Sequence, residues 1–417
     1  MKESESAAVP ERDPVVLAAV VVGVGVVCAL HVGKLPVAIP VLQASLGLSL
    51  LQAGFLLSLV QLAGMTLGLV VGLMADHLGP RRVMLSGLGL LAMGSALGGV
   101  STGVHGLLAT RVLEGLGFLL AVLPAPGLLR QRVRNPKTLA RALGWWGAYM
   151  PLGTATALLC GAPLLELIGW RLVWLLLALL TCLAAIGLAT QVSRDPTHAR
   201  GSSSLVAAMA LKPWTRVQLT LVASGPWLVA LAFFLYSGQW LAVVGFLPTI
   251  YSEAGYSGVV VGVLTALAAG INMAGNIGAG RCLARGVRPG VLLSIAYLAM
   301  AMGAVVAFGA QGHPVWQYLA VLLFSGVGGL IPGTLFSLAV VLAPGEATVS
   351  TTVGWMQQFS ALGQFLGPPL VAWVATQVGG WHWTWVVTAS CSLLGVALAA
   401  RLQRAWKHRV HAVVSAA

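Results

Sequence analysis

The 417-residue sequence is poor in charge. Only 8% of its residues are Asp, Glu, Lys or Arg, whereas 58% are hydrophobic and the mean hydropathy is +0.93. So little polar sequence cannot coat the surface of a water-soluble domain of this length. The composition therefore excludes a soluble globular protein and predicts one that lies in a membrane.

Sequence features of enzymes and of metalloproteins are also lacking. The five cysteines are scattered through apolar segments, and no two of them form a CxxC pair, so neither a disulfide framework nor a metal site is indicated. We find no nucleotide-binding loop, no cluster of metal ligands and no long soluble extension. We therefore expect no cofactor and no enzymatic activity.

The sequence is instead rich in apolar runs of about 20 residues, the length at which a helix spans the hydrocarbon core of a bilayer. They predict an all-α polytopic membrane protein with twelve transmembrane helices. The predicted segments cover residues 15–40, 50–74, 83–102, 105–129, 141–165, 169–190, 225–250, 258–282, 289–310, 314–343, 350–377 and 382–403. We group them into bundles at 14–190 and 225–404, with a linker at 191–224 and tails at 1–13 and 405–417. The first segment follows an acidic leader without a small-residue cleavage site, so we do not expect a signal peptide.

Basic residues are concentrated in one set of loops. Twenty of the 23 Lys and Arg residues lie in the tails and in the loops after segments 2, 4, 6 and 8. The positive-inside rule places these regions in the cytoplasm, which requires an even number of helices and puts both termini inside. The same distribution explains the net charge of +13 by contact with anionic lipid headgroups rather than with nucleic acid. We predict a multi-pass protein of the cytoplasmic membrane.

The two bundles repeat one pattern. Leu35-Pro36 recurs as Leu247-Pro248, and Gly115 with Gly117 recurs as Gly326 with Gly328. Two parallel six-helix halves are typical of secondary transporters that hold substrate between the halves near the membrane midplane.

A short charged motif lies between segments 2 and 3. It consists of Gly72, Asp76, Gly79, Arg81 and Arg82. This spacing resembles the most specific motif of the major facilitator superfamily, although His77 stands where Arg or Lys is usual. The resemblance covers about residues 14–404 and implies that family's fold, with Asp76 and Arg81 in a gate that locks the cytoplasmic ends of the halves in one state. The corresponding position in the second half is Ala284.

Three charged residues lie well inside predicted helices, away from the segment ends. Arg111 and Glu114 belong to a second motif of the family, in segment 4, and share one helical face; Lys34 lies at a similar depth in segment 1. A charge at such a depth costs about 2.5 to 3.5 kcal/mol, so we expect each to face a cavity or a partner. Two cations facing one carboxylate would suit a small anion. The sequence leaves open whether Lys34 reaches the headgroups instead, and whether Glu114 carries a proton or only pairs with Arg111.

His31, one turn from Lys34, is a candidate proton relay or a packing residue. Further polar and aromatic residues on segments 7, 8 and 11 either contact substrate or join helices. These candidates are Tyr236, Gln239, Trp240, Asn272, Asn276, Gln357 and Gln364.

The direction of transport depends on weaker signals. Drug-efflux antiporters of the superfamily usually carry Gly-Pro in helix 5, whereas this chain has Gly147-Ala-Tyr-Met-Pro151. Leu35-Pro36, Gly47-Leu48-Ser49 and Gly144-Trp145 are similar to motifs of the cyanate and nitroimidazole transporter branch. That branch usually has an Asn-x-Arg-Pro stretch in helix 1, and Lys34 would replace its Arg. We predict a monomeric secondary transporter that takes up a small organic or inorganic anion with protons. The alternative is a proton-driven multidrug efflux antiporter.

Overall fold

A computed structural model describes residues 13–193, 212–310 and 312–416. Within these residues the regular structure is entirely helical. The predicted N-terminal tail up to residue 12 and most of the predicted linker, 194–211, lie outside the described residues.

The first half contains six membrane-spanning helices. We number them as α1 (Pro14–Leu46), α2 (Leu50–Ser58 and Leu62–Leu78, joined by the 3-10 turn Leu59–Gln61), α3 (Pro80–Gly99), α4 (Val104–Val122, continued by Ala125–Arg132), and α5 and α6, which are the parts of the stretch Tyr149–Gln191 before and after the non-helical Gly169. A short helix, Pro136–Gly147, precedes α5.

The second half repeats this order. Its helices are α7 (Ser224–Glu253), α8 (Gly258–Ala284), α9 (Pro289–Gly309), α10 (Pro314–Gly328, continued by Leu330–Val341), α11 (Val349–Val378) and α12 (Thr384–Ala416). A linker helix, Pro213–Val222, precedes α7.

The predicted helix count differs from a simple reading of the structure at two places. Ten helices in the described part of the chain are long and apolar enough to cross a membrane. Helix Tyr149–Gln191 accounts for two predicted segments, because its backbone turns at Gly169 with φ 74° and ψ 161°. Helix α11 spans 30 residues and is not among the ten, and its sequence contains several Gln, Ser and Thr residues. The all-α membrane fold with two six-helix halves is confirmed.

Small residues allow the helices of a half to approach closely. Gly87 of α3 and Gly117 of α4 face each other, and a Cβ at either position would overlap the backbone of the other helix. Close contacts of this kind are a main source of helix association in lipid, where the hydrophobic effect between helices is absent.

The two halves share an apolar core at the end opposite to the basic loops. Leu42 and Ala53 of the first half cluster there with Phe246, Ala266 and Val371 of the second. Helices α2 and α11 stay in contact further toward the basic loops, where Gln358 donates a hydrogen bond to the Met65 carbonyl at 2.7 Å. The contact between α2 and α11 therefore spans much of the bundle.

Candidate functional site

The charged motif after α2 contains a conformationally special glycine. Gly79 has φ 90° and ψ 134° and separates α2 from α3, a backbone conformation that favours residues without a Cβ. Arg81 donates to the carbonyls of Val192 at 2.9 Å and Ala189 at 2.8 Å. It thereby satisfies carbonyls at the end of α6 that have no partner within the helix.

Other members of this motif are only partly described. Arg82 is exposed, while the surroundings of Gly72 and the side chains of Asp76 and His77 lie outside the described residues. In this structure the described contacts of Arg81 are with its own half. The gate between Asp76 and Arg81 stays a prediction.

The three charged residues inside the helices of the first half are brought together. Glu114 Oε1 lies 2.5 Å from Lys34 Nζ, and Glu114 Oε2 lies 2.5 Å from Arg111 Nη1. The side chains of Lys34, Arg111 and Glu114 are 2%, 3% and 1% exposed. Lys34 therefore points into the protein and does not reach the headgroups. We call Lys34, Arg111, Glu114 and His31 the charged cluster.

Neutral groups complete the surroundings of Lys34. Its ammonium donates to Ser95 Oγ of α3 at 3.0 Å and lies 4.4 Å from the centre of the Trp174 ring of α6, a distance suited to a cation–π interaction. Ser95 in turn donates to the Trp174 carbonyl at 2.9 Å. The sequence analysis missed Ser95 and Trp174; the only signal was a single serine and a tryptophan among apolar neighbours.

His31 is held in one tautomer by its contacts. The Thr181 hydroxyl donates to the Leu177 carbonyl at 2.7 Å, so it accepts from His31 Nε2, 2.8 Å away. This leaves His31 Nδ1 as an acceptor facing Lys34 Nζ at 3.4 Å. The network thus assigns a neutral imidazole to His31, and Thr181 is a second partner that the sequence analysis missed.

Arg111 ties three helices together. Its Nη1 donates to the His31 carbonyl of α1 at 2.8 Å, and its Nε donates to the Leu56 carbonyl of α2 at 3.1 Å. Its Nη2 is buried and has no hydrogen-bond partner. A buried donor without a partner is costly, which makes Nη2 a candidate contact for a ligand.

The second half holds a neutral network at the related place. Asn272 Nδ2 lies 2.9 Å from the Tyr236 hydroxyl and donates to the Ser325 carbonyl at 2.8 Å. Trp240 Nε1 donates to Ser325 Oγ at 3.1 Å, and Asn276 Nδ2 donates to Asn272 Oδ1 at 3.1 Å. The structure thus brings together four of the predicted substrate contacts on α7 and α8.

The remaining candidates lie elsewhere. Gln239 accepts from Ser392 of α12 at 2.9 Å, inside the second half. Gln364 accepts from Gln61 Nε2 at 2.9 Å and so joins the two halves. Gln357 is partly buried on α11. These three are not part of one site.

Sequence comparison links the chain to known transporters. A model of the Major Facilitator Superfamily matches residues 16–363. The chain is 29% identical over 167 residues to "Drug efflux pump JefA" of Mycobacterium tuberculosis, covering 37% of this chain and 33% of that protein. It is 31% identical over 186 residues to "Cephamycin export protein CmcT" of Amycolatopsis lactamdurans, covering 44% and 35%. These alignments span only about a third of each relative's length.

Solved structures show the same fold over almost the whole chain. A bacterial homolog of the human lysosomal transporter Spinster, in an inward-facing and unoccupied conformation, has a TM-score of 0.76 at 17% identity, covering 96% of this chain and 99% of that one. A D-xylose-proton symporter has a TM-score of 0.73 at 16% identity, covering 92% and 96%. With the family model matching most of its length and the fold shared throughout, this chain belongs to the Major Facilitator Superfamily of membrane transporters.

Proposed function

We propose that this protein is a secondary transporter that carries a small organic or inorganic anion, together with protons, by alternating access of its two halves. It would act as a monomer and release its substrate chemically unchanged. The observation that carries the proposal is the uncompensated positive charge of the charged cluster.

The charge balance of the cluster is uneven. Among the described residues, the buried charged side chains are Lys34, Arg111 and Glu114, with His31 beside them. With His31 neutral, two cations face one carboxylate and a net charge of one remains. Burying an uncompensated charge costs several kcal/mol, so the cluster gains stability from anything that removes the surplus.

An anion is one means of removing it. Arg111 Nη2 offers a buried donor without a partner, and charge-assisted hydrogen bonds to a carboxylate or an oxyanion are among the stronger ones in proteins. The side chains of the site are buried in this conformation, so an anion would enter in another conformation of the transport cycle.

Loss of a proton is the other means. A proton leaving Lys34 also brings the cluster to neutrality, so bound anion and retained proton favour each other. Such a coupling is reciprocal: the anion binds more tightly when the proton is present. Anion and proton would then move in the same direction, which supports uptake driven by an inward proton gradient.

The neutral network of the second half suits the uncharged part of a substrate. Tyr236, Asn272 and Trp240 offer hydroxyl, amide and indole groups that exchange hydrogen-bond partners without a change in charge. The similarity of Leu35-Pro36, Gly47-Leu48-Ser49 and Gly144-Trp145 to motifs of the cyanate and nitroimidazole transporter branch also supports a small substrate.

A second candidate function is proton-driven export of lipophilic drugs. The names of the relatives, which include a drug efflux pump and an antibiotic export protein, favour it. An exporter of this kind would tolerate the loss of Lys34, whereas an anion carrier would not.

Thermal unfolding of the purified protein with acetate, benzoate, nitrate, phosphate and cyanate at two pH values distinguishes the candidates. A ligand that binds only the folded state adds about 2.7 kcal/mol to the free energy of unfolding at a hundred times its dissociation constant, and it thereby raises the melting temperature. We expect one of these anions to stabilise the wild type and to accumulate in proteoliposomes under an inward proton gradient.

Two variants sharpen this test. Lys34→Met should abolish both the stabilisation and the uptake while the protein stays folded, because it removes the surplus charge at similar volume. Lys407→Met, the same change at an exposed position of α12, should leave both intact. Stabilisation by lipophilic cations alone, unchanged in Lys34→Met, would instead establish the exporter.

A further inference from the structure

Helix α2 is interrupted in its middle. The 3-10 turn Leu59–Gln61 separates its two α-helical pieces, and α2 contains no proline. In an unbroken helix the Leu56 carbonyl would accept from the Val60 N–H. Here the first piece closes with the bond from Leu59 N–H to the Phe55 carbonyl, and Leu56 accepts from Arg111 Nε at 3.1 Å. A side chain inserted into the helical ladder is a known cause of such a break.

The turn also packs directly against the helix that carries Glu114. Gly115 of α4 lies against the backbone of Val60, and a Cβ at Gly115 would overlap the Val60 carbonyl. The interruption in α2 therefore contacts α4 at two points, at Arg111 of the charged cluster and at Gly115, which follows Glu114 in the chain.

The last residue of the turn reaches the other half of the protein. Gln61 is 6% exposed, and its Nε2 donates to Gln364 Oε1 of α11 at 2.9 Å. Gln364 in turn donates to Ser360 Oγ at 3.2 Å. A continuous series of contacts thus runs from Glu114 through Arg111 and the Leu56 carbonyl to the turn, and from Gln61 into the second half.

We propose that Gln61 is a positioning residue, and that the turn Leu59–Gln61 transmits changes in the hydrogen bonding of Arg111 to the contact between α2 and α11. When Arg111 releases the Leu56 carbonyl, this carbonyl becomes free to accept from Val60, the turn converts toward α-helix, and the Gln61 side chain rotates away from Gln364. A mid-helix 3-10 stretch is suited to this role because such stretches often mark functional hinges. The inference rests on the proposed function for the event that alters the cluster, whereas the coupling itself involves no substrate.

The test measures the distance between the halves without any ligand. Nitroxide labels are attached to Arg134→Cys and Arg285→Cys, two exposed positions at the basic ends of the first and second halves, in full-length protein whose five native cysteines are replaced. Pulsed electron paramagnetic resonance in nanodiscs then gives the ratio of the short-distance to the long-distance population. The perturbation is Arg111→Lys. It keeps the charge but lacks the planar guanidinium that donates to the Glu114 carboxylate and to the Leu56 carbonyl at the same time.

We expect Arg111→Lys to change the population ratio by about fivefold or more in the reference background. In the Gln61→Ala background, Arg111→Lys should change the population ratio by less than about twofold, because sites that are not coupled show effects no larger than this. The matched control is Gln358→Ala, which removes the other described hydrogen bond between α2 and α11 but does not involve the turn; there the full response should persist.

Equal responses in the Gln61→Ala and reference backgrounds would overturn the inference. So would an unchanged ratio in the reference background for both Arg111→Lys and Glu114→Gln, the second variant that alters the cluster. Failure of every anion to bind would refute the proposed function and leave these distance measurements unaffected, so the two failures are distinguishable.

Discussion

The two halves share a fold but differ in how they satisfy their buried polar groups. In α4, Arg111 and Glu114 form an ionic cluster with Lys34; the repeat-related residues of α10 are Leu322 and Ser325, and Ser325 belongs to a neutral network. Since the second half forms six helices in the same order without these charges, the charges are not a requirement of the fold. Charged residues are costly inside a membrane, which makes these three a candidate functional site.

The largest loss of stability should follow removal of the Glu114 carboxylate from the charged cluster of the first half. Glu114→Gln leaves Lys34 and Arg111 facing each other without a counter-charge, and breaking a buried ion pair costs about 3 to 5 kcal/mol. The measurement is the free energy of unfolding in mixed micelles. Glu346→Gln, the same change at an exposed site, should stay within about 0.5 kcal/mol of the wild type; equal effects would mean that Glu114 is solvated and that the cluster is not formed.

A smaller loss is expected when the neutral network is broken. Asn272→Leu removes the hydrogen bonds of this side chain with Tyr236, Ser325 and Asn276, and leaves the Ser325 carbonyl without this donor, which should cost about 1 to 3 kcal/mol. The effect is below that of Glu114→Gln because no charge loses its partner. The same unfolding measurement checks it, and a loss as large as that of Glu114→Gln would remove the distinction between an ionic and a neutral half.

The smallest effect should come from a neutral residue within the ionic half. Ser95→Ala deletes one acceptor of Lys34 but leaves Glu114 and the Trp174 ring in place, so we expect a loss of about 0.5 to 1.5 kcal/mol. Ser86→Ala, on the same helix, is the control: the described hydrogen bond of Ser86 is to the Val83 carbonyl of its own helix, so this change should reduce stability by less. If Ser95→Ala were as costly as Glu114→Gln, hydrogen bonding and not ion pairing would hold Lys34.

The helices were predictable because hydropathy and length are local properties. The runs that predicted α7 and α8 begin and end within a few residues of the helices observed, whereas the predicted segment 15–40 stops short of the end of α1 at Leu46. The 3-10 turn in α2 was missed, since the hydrogen bond to the Leu56 carbonyl beside it comes from Arg111 of another helix and nothing in residues 59–61 forbids an α-helix. Likewise, Gln364 was proposed as a substrate contact, and only packing shows that it bonds to Gln61 of the other half.

The sequence alone therefore determined the membrane location, the two-half architecture, the family resemblance and the identity of three charged residues that need partners, because each depends on spacing along the chain or on transfer free energy. The tertiary structure decided which partners they have. Lys34 could have reached the headgroups, but the rotation and packing of α1, α3, α4 and α6 place it between Glu114, Ser95 and Trp174. Helix rotations are set by packing against neighbouring helices, so this arrangement, and the surplus charge it buries, exists only in the folded protein.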